Sequence, residues 1–198
     1  MSLIAEQHTK EGARLLIWKD EEPLHFFMEN TLLSEEDKKR LCQYRVERRK
    51  KDLLITRYLL QRVIPQGQID YHSNGKPYLL GREAYISISH SQDLVALIIH
   101  PQQKVAIDIE YIHPRIAKVK ERFLSPKELA SASKLELLTL FWSAKESLFK
   151  WDDQQGLDFA QDLHLYFENE RLYGVIRNND IIPIHYHLGD EWTMTYIV

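Results

Sequence analysis

The stretch FWSAKESLFK, residues 141–150, does most to decide the fold. Its apolar side chains return at helical spacing, which predicts a long helix that ends near Trp151. Trp142, Glu146 and Lys150 lie four residues apart in turn, so they share one face of that helix. An ordinary surface ion pair between Glu146 and Lys150 would also explain this spacing, because such pairs are common.

A second stretch, KVAIDIE at residues 104–110, alternates apolar and other side chains and predicts a strand. Asp108 and Glu110 stand two residues apart, so both carboxylates lie on one face of the strand. Neighbouring anions repel each other unless a cation or a proton joins them, and Mg²⁺ prefers such oxygen ligands. For this pair alone, a strand face turned to solvent is an equally good explanation.

The strand predicted at Tyr85–Ser89 ends in a polar group, Ser89-His90-Ser91. A histidine beside small hydroxyl groups can donate hydrogen bonds to a phosphate. A polar strand end with no ligand would look the same, so this segment does not establish a site by itself.

Alternation, turn residues and capping residues predict the other elements. A helix is expected from a cap at Ser34 to Ile64, with a break near Lys50 left open because the first half is highly charged, and two capping boxes are expected at Ser125/Glu128 and Ser133/Glu136. Turns are expected at Asn74–Pro77, Glu168–Glu170 and Asn178–Asp180, and further strands at Arg14–Trp18, Leu94–Ile99, Leu163–Phe167, Arg171–Ile176, Ile181–His187 and Trp192–Val198. The order of strand, helix and strands occurs twice, which predicts an α+β protein of two similar lobes, residues 1–101 and 102–198.

Composition narrows the classes of function. The chain has 198 residues, of which 44% are hydrophobic, and a formal net charge of -3, which argues against a nucleic-acid-binding protein. Its single cysteine, Cys42, and its polar N-terminus favour a cytoplasmic protein with no membrane segment.

The order of four motifs is more specific than any one of them. Gly75-Lys76-Pro77 is followed by Ile86–Ser91, then by Ile107–Glu110, then by the helix motif at 141–150. This order resembles the 4'-phosphopantetheinyl transferase superfamily, in particular its Sfp-type branch of two fused lobes. One departure is Ala106, where members of the family usually have glycine.

The resemblance implies a pseudo-twofold pair of α/β lobes with the active site in the cleft between them. It implies that Asp108, Glu110 and Glu146 bind Mg²⁺, that Glu146 is a candidate base, and that Lys150 contacts the reacting phosphates. The residues that it implies for binding coenzyme A, the substrate, are Arg48, Lys76, Ser89, His90 and Lys150, with His90 also assisting the chemistry. Arg48 has competitors in the same basic stretch, namely Arg45, Arg49 and Lys51.

The implied reaction moves the 4'-phosphopantetheine group of coenzyme A to a serine of an apo acyl or peptidyl carrier protein. It depends on Mg²⁺ and releases 3',5'-ADP. A two-lobed chain of this family is expected to act as a monomer, and Lys118, Lys120 and Arg122 could contact an acidic carrier, although a solvated charge run explains them as well.

Two other functions remain open on the sequence. A metal-dependent nuclease can use a similar set of acids and a lysine, and a catalytically silent protein that binds coenzyme A could keep the same fold. His185 and His187 share a strand face, but they lack a third ligand in the sequence pattern and are better explained as ordinary strand histidines.

Overall fold

Antiparallel sheets form the framework of both halves of this α+β chain. The structure is a computed structural model, which describes residues 2–152, 156–177 and 181–198. Its internal contacts divide the chain into two compact units, Met1–Lys104 and Val105–Val198. The turn predicted at Asn178–Asp180 lies outside the described residues.

The N-terminal unit is built on a four-stranded sheet in the order β1-β2-β6-β5, with a separate two-stranded hairpin of β3 and β4. The two central strands, β2 and β6, are the most apolar, and β6 is buried along its whole length. In chain order the elements are β1 (Leu3–His8), β2 (Arg14–Lys19), α1 (Leu24–Asn30), α2 (Glu35–Gln43), α3 (Glu47–Val63), β3 (Ile69–Tyr71), β4 (Pro77–Leu79), β5 (Tyr85–Ser91) and β6 (Leu94–His100).

The prediction of one continuous helix from Ser34 to Ile64 is wrong, and the break that was left open near Lys50 lies a few residues earlier, between Gln43 and Glu47. Ser34 does cap a helix, since its Oγ accepts a hydrogen bond from the Asp37 amide at 3.1 Å, but α2 ends at Gln43 and α3 begins at Glu47. In a continuous helix, Asp37 and Arg57 would stand about 30 Å apart. The break allows them to form a buried ion pair of 2.6 Å, which the charge pattern alone did not reveal.

The sequence patterns missed four short elements of this unit. Strand β1 is mostly exposed, and α1 has seven residues, of which only Phe27 is buried. Strands β3 and β4 have three residues each. Elements this short or this exposed lack enough buried positions for hydrophobic periodicity to show.

The C-terminal unit is built on a five-stranded antiparallel sheet in the order β7-β11-β10-β9-β8. Helix α6 packs on this sheet, and the approach is so close that a Cβ atom on Gly174 would lie 2.6 Å from Leu148. In chain order the elements are β7 (Ala106–Tyr111), α4 (Ile116–Val119), a 3₁₀ turn (Lys120–Arg122), α5 (Pro126–Ser131), α6 (Leu135–Trp151), β8 (Leu163–Glu168), β9 (Arg171–Ile176), β10 (Ile181–Leu188) and β11 (Trp192–Ile197).

Local signals in this unit had mixed outcomes. The capping box at Ser125 is confirmed, with the Glu128 side chain accepting from the Ser125 amide at 2.7 Å. The one predicted at Ser133 is wrong, because α6 follows Lys134, which makes no side-chain cap hydrogen bond. The hairpin between β8 and β9 is confirmed, and the positive φ angles of Asn169 and Glu170, 48° and 64°, are those of a two-residue hairpin turn.

Candidate active site

Strand β7 carries Asp108 and Glu110 beside strand β11. The backbone register pairs Asp108 with Thr195 and Glu110 with Thr193. The Asp108 side chain is only 5% exposed, although a carboxylate is costly to remove from water unless other groups compensate it. Its position in an apolar strand therefore requires partners from elsewhere in the fold.

Helix α6 supplies a cation for Asp108. The Lys150 ammonium donates to Asp108 Oδ1 at 2.8 Å and to the carbonyl oxygen of Ile107 at 2.9 Å. The Ser143 hydroxyl donates to the Asp108 carbonyl oxygen at 3.2 Å, which ties an earlier turn of α6 to the same strand. These three bonds fix the helix against β7.

The same helix supplies a partner for Glu110. The Trp142 indole N–H donates to Glu110 Oε1 at 3.1 Å. Phe123 packs edge-on against the Trp142 ring at 5.2 Å, and Phe159 lies 5.6 Å away on a tilted plane. The bond from Trp142 to Glu110 is a role that sequence reasoning missed. The helical spacing of four between Trp142 and Glu146 was the available signal.

Glu146 lies midway along the helix face between Trp142 and Lys150. Burial raises the pKa of Glu146 to about 7, with repulsion by Asp108 and Glu110 adding to the rise and attraction by Lys150 opposing it. Asp108 and Glu110 thus act on the Glu146 carboxyl group in addition to its burial. A carboxyl group beside other anions holds its proton more tightly, or accepts a cation in its place.

The donor atoms of these three side chains are all carboxylate oxygens, the ligands that a hard divalent cation such as Mg²⁺ prefers. Such a cation would relieve the repulsion that raises the pKa of Glu146, so the chemistry of the set fits the ion. As the side chains stand, residues 2–152, 156–177 and 181–198 include no group of three His, Cys, Asp or Glu side chains arranged to hold a metal ion. The shared metal site of Asp108, Glu110 and Glu146 therefore stays a prediction.

Lys145, next to Glu146 in sequence, has a purely internal role that the sequence did not reveal. Its buried ammonium donates to Glu128 Oε2 at 2.8 Å and to the carbonyl oxygens of Phe159 and Leu163 at 2.8 and 2.7 Å. Burial lowers the pKa of Lys145, and the Glu128 carboxylate opposes that change. The pair fastens α5 and the segment that precedes β8 to the helix that carries Glu146.

The N-terminal unit carries the other predicted site residues. His90 Nε2 lies 3.0 Å from the Thr56 hydroxyl, which itself donates to the Asp52 carbonyl oxygen at 2.7 Å. Ser89 is buried on β5 beside the exposed His90. Thr56 of α3 thus helps to fix the position of the His90 imidazole, which is exposed to solvent.

Arg48 lies on the same helix as Thr56 and contacts two carboxylates. Its guanidinium bonds to Asp20 at 3.2 Å and to Asp52 at 2.8 Å. Burial raises the pKa of Asp52, and Arg48 opposes this change. Lys51, one of the competing cations, bonds to Asp20 at 3.1 Å, whereas Arg45 and Arg49 are exposed. Within the basic stretch, Arg48 and Lys51 are thus paired with carboxylates, whereas Arg45 and Arg49 face solvent.

Lys76 lies in the turn between β3 and β4, where the Gly75-Lys76-Pro77 motif was predicted to be. Gly75 has a φ of +84°, a conformation that favours glycine. Lys76 is partly buried, and its amide donates to the Asn74 side chain at 3.0 Å.

The remaining predicted surface residues lie apart from these carboxylates in sequence. Lys118 and Arg122 are exposed around the short helix α4 and the 3₁₀ turn, and Lys120 is half-buried. The His185 ring stacks on Tyr196 at 4.7 Å, and the His187 ring lies 4.5 Å from Trp192. In the part of the chain that the structure describes, neither histidine belongs to a potential metal cluster. No described helix combines the length and the apolar character needed to cross a membrane.

Comparison with known proteins defines the class. Residues 104–197 match the model of the 4'-phosphopantetheinyl transferase superfamily, and this C-terminal part of the chain belongs to that superfamily. The chain is similar to 4'-phosphopantetheinyl transferase HetI of Nostoc sp. strain PCC 7120, with 31% identity over 97 residues. That match covers 43% of this chain and 41% of HetI, so it spans less than half of either protein.

Proposed function

We propose that this protein is a 4'-phosphopantetheinyl transferase of the Sfp-type branch, with Mg²⁺ as its metal and coenzyme A as its substrate. It moves the phosphopantetheine group to a serine of an acyl or peptidyl carrier protein and releases 3',5'-ADP. The observation that supports this proposal is the ion pair of Lys150 with Asp108, inside the segment that matches the superfamily, beside a Glu146 whose raised pKa has Asp108 and Glu110 among its causes.

In the proposed reaction, Glu146 takes the proton of the carrier serine, directly or through a water molecule. The serine oxygen forms a bond to the phosphorus nearest pantetheine, and the bond from that phosphorus to the bridging oxygen of the pyrophosphate breaks. The leaving 3',5'-ADP carries away the electron pair of the broken bond. Phosphoryl transfer needs positioning and charge neutralisation more than covalent help.

The cationic side chains act on the phosphate oxygens. Lys150 and His90 offset the charge that develops there, and Ser89 binds the same phosphates. Arg48 binds the 3'-phosphate, and Lys76 contacts the nucleotide end. A divalent ion bound by Asp108, Glu110 and Glu146 would act as a Lewis acid on the pyrophosphate.

The proposal extends to the setting of the reaction. Residues 1–101 would supply nucleotide contacts, and residues 102–198 would supply the metal ligands and the catalytic groups. We propose that the protein is a cytoplasmic monomer, because one chain carries both lobes. Light scattering would measure its mass in solution. Lys118, Lys120 and Arg122 are the proposed contacts for an acidic carrier.

The decisive experiment is intact-mass spectrometry of apo carrier proteins incubated with coenzyme A, Mg²⁺ and the enzyme. The proposal expects a gain of one phosphopantetheine group with the wild type and almost none with Asp108→Ala. Asp190→Ala, which changes an exposed aspartate of the same unit, is the matched control and should retain activity. Near wild-type transfer by Asp108→Ala would remove the metal-site argument, and plasmid cleavage without any transfer would favour a nuclease.

A further inference from the structure

The β3–β4 hairpin, which carries Lys76 in its turn, is too small to keep its shape by itself. Each strand has three residues, and the two form a separate sheet. Isolated two-stranded hairpins are marginally stable at best in water. The orientation of the hairpin must therefore depend on other parts of the N-terminal unit.

Arg57 of α3 is one residue that attaches the hairpin, and a buried ion pair with Asp37 fixes its position. Its Nη2 donates to Asp37 Oδ1 at 2.6 Å, and its Nε lies 3.1 Å from both Asp37 oxygens. The two side chains are 1% and 3% exposed. A buried, multiply bonded ion pair has one well-defined geometry, because any displacement leaves a charge uncompensated.

The same guanidinium reaches the hairpin. Arg57 Nη1 donates to the Tyr71 hydroxyl, and Nη2 donates to the Ile69 carbonyl oxygen, both at 3.3 Å. These bonds join the first and last residues of β3 to helix α3.

Arg40 of α2 makes a second attachment. It donates to Asp70 Oδ1 at 2.8 Å, and its guanidinium lies 4.7 Å from the centre of the Tyr71 ring. Asp70 also accepts hydrogen bonds from the Tyr71 amide at 2.9 Å and from the Tyr78 hydroxyl of β4 at 3.3 Å. Strand β3 is therefore bound to both helices by charged groups, and Tyr78 of β4 is bound to Asp70 of β3.

The turn transmits this orientation to Lys76. The His72 amide donates to the Lys76 carbonyl oxygen at 2.9 Å, and the Gly75 amide donates to the His72 carbonyl oxygen at 2.8 Å. The His72 ring stacks on Tyr78 at 4.4 Å. The Lys76 backbone is thereby held to the strands on both sides.

We propose that Arg57 and Arg40 are positioning residues, which orient the β3–β4 hairpin so that Lys76 binds the nucleotide half of coenzyme A. This inference rests on the proposed function. Neither arginine needs to touch the substrate. Loss of their attachments should weaken binding of the nucleotide half and spare the chemical step at saturating coenzyme A.

The test measures binding of 3',5'-ADP by calorimetry, together with KM for coenzyme A and kcat for transfer. Arg57→Ala would leave Asp37 buried without its partner and could unfold the unit. The double variant Asp70→Ala/Tyr71→Phe instead removes the side-chain oxygens of the hairpin that accept from Arg40 and Arg57, and it keeps the buried pair, the bond to the Ile69 carbonyl oxygen and the aromatic ring at position 71. Glu36→Gln is the matched control, because Glu36 contacts Arg40 at 3.7 Å from an exposed position and does not contact the hairpin.

We expect the double variant to bind 3',5'-ADP about tenfold more weakly, the effect of about one lost charged hydrogen bond, and to raise KM for coenzyme A in proportion. Its kcat should stay within about twofold of the wild type, and Glu36→Gln should change neither quantity. Wild-type affinity in the folded double variant, or a fall in kcat alone, would overturn the inference. So would a wild-type protein that fails to bind 3',5'-ADP. Transfer by the wild type decides the proposed function separately.

Discussion

Glu146→Gln should make the metal-free protein more stable above neutral pH. Burial and the neighbouring Asp108 and Glu110 raise the pKa of Glu146 from 4.5 to about 7, so the folded protein holds a proton that the unfolded chain releases. Between pH 4.5 and about pH 7, a rise in pH therefore favours the unfolded state, and the free energy of unfolding falls. Below about pH 4.5 both states are protonated, and the penalty is absent.

The size of the effect follows from the same two pKa values. A rise of the Glu146 pKa from 4.5 to about 7 corresponds to a loss of about 3 kcal/mol in the free energy of unfolding at high pH. This figure is an upper value, because Glu146 is only partly buried. Glutamine has nearly the same shape as the protonated glutamic acid and never ionises. The free energy of unfolding of the variant should therefore exceed that of the wild type by up to about 3 kcal/mol at about pH 8 and differ little from it at about pH 4.

Urea unfolding with a chelator present, followed by tryptophan fluorescence, measures this difference, because the C-terminal unit holds Trp142, Trp151 and Trp192. Glu168→Gln, at an exposed strand end of the same unit, serves as the control and should show no comparable dependence on pH. An equal difference between Glu146→Gln and the wild type at both pH values would refute the raised pKa of Glu146, which burial causes for the most part and Asp108 and Glu110 increase. The gain in stability should come with loss of transfer activity.

Two further predictions concern α6. Trp142→Phe removes the indole donor to Glu110 but keeps an aromatic ring. Affinity for Mn²⁺, used as a probe for the proposed Mg²⁺ site and measured by electron paramagnetic resonance, should therefore fall about tenfold. Unchanged affinity would contradict the idea that Trp142 orients Glu110. Lys145→Met leaves Glu128 buried without its cation and should lower the free energy of unfolding by about 3–5 kcal/mol in urea titrations. The double variant Lys145→Met/Glu128→Gln removes the charge but keeps an oxygen acceptor for the Ser125 or Leu165 amide, so it should recover part of that loss, and no recovery would contradict the explanation by an uncompensated charge.

Short-range patterns predicted much of the fold correctly. Alternation located β5 and β7, a continuous apolar run located β6, and helical spacing located α6, because each of these elements buries enough apolar residues to give a clear local pattern. The charged stretch left a break near Lys50 open, but the sequence did not locate the break between α2 and α3, because the pair that requires it, Asp37 and Arg57, is separated by 20 residues. The false capping box at Ser133 shows the opposite error, in which a valid local motif was not used by the fold.

The sequence by itself determined which side chains share a face. Strand periodicity put Asp108 and Glu110 together, and helical periodicity aligned Trp142, Glu146 and Lys150, because both relations depend only on local backbone geometry. Only the tertiary structure decided how the two faces meet.

The partners across those faces are far apart in the chain. Lys150 pairs with Asp108 across 42 residues and Trp142 with Glu110 across 32, while Lys145, beside them in sequence, is turned away to a buried partner. These contacts follow from the packing of α6 on the sheet, where Gly174 leaves room for Leu148. Burial and close approach of charges are properties of that packing, and no local pattern contains them.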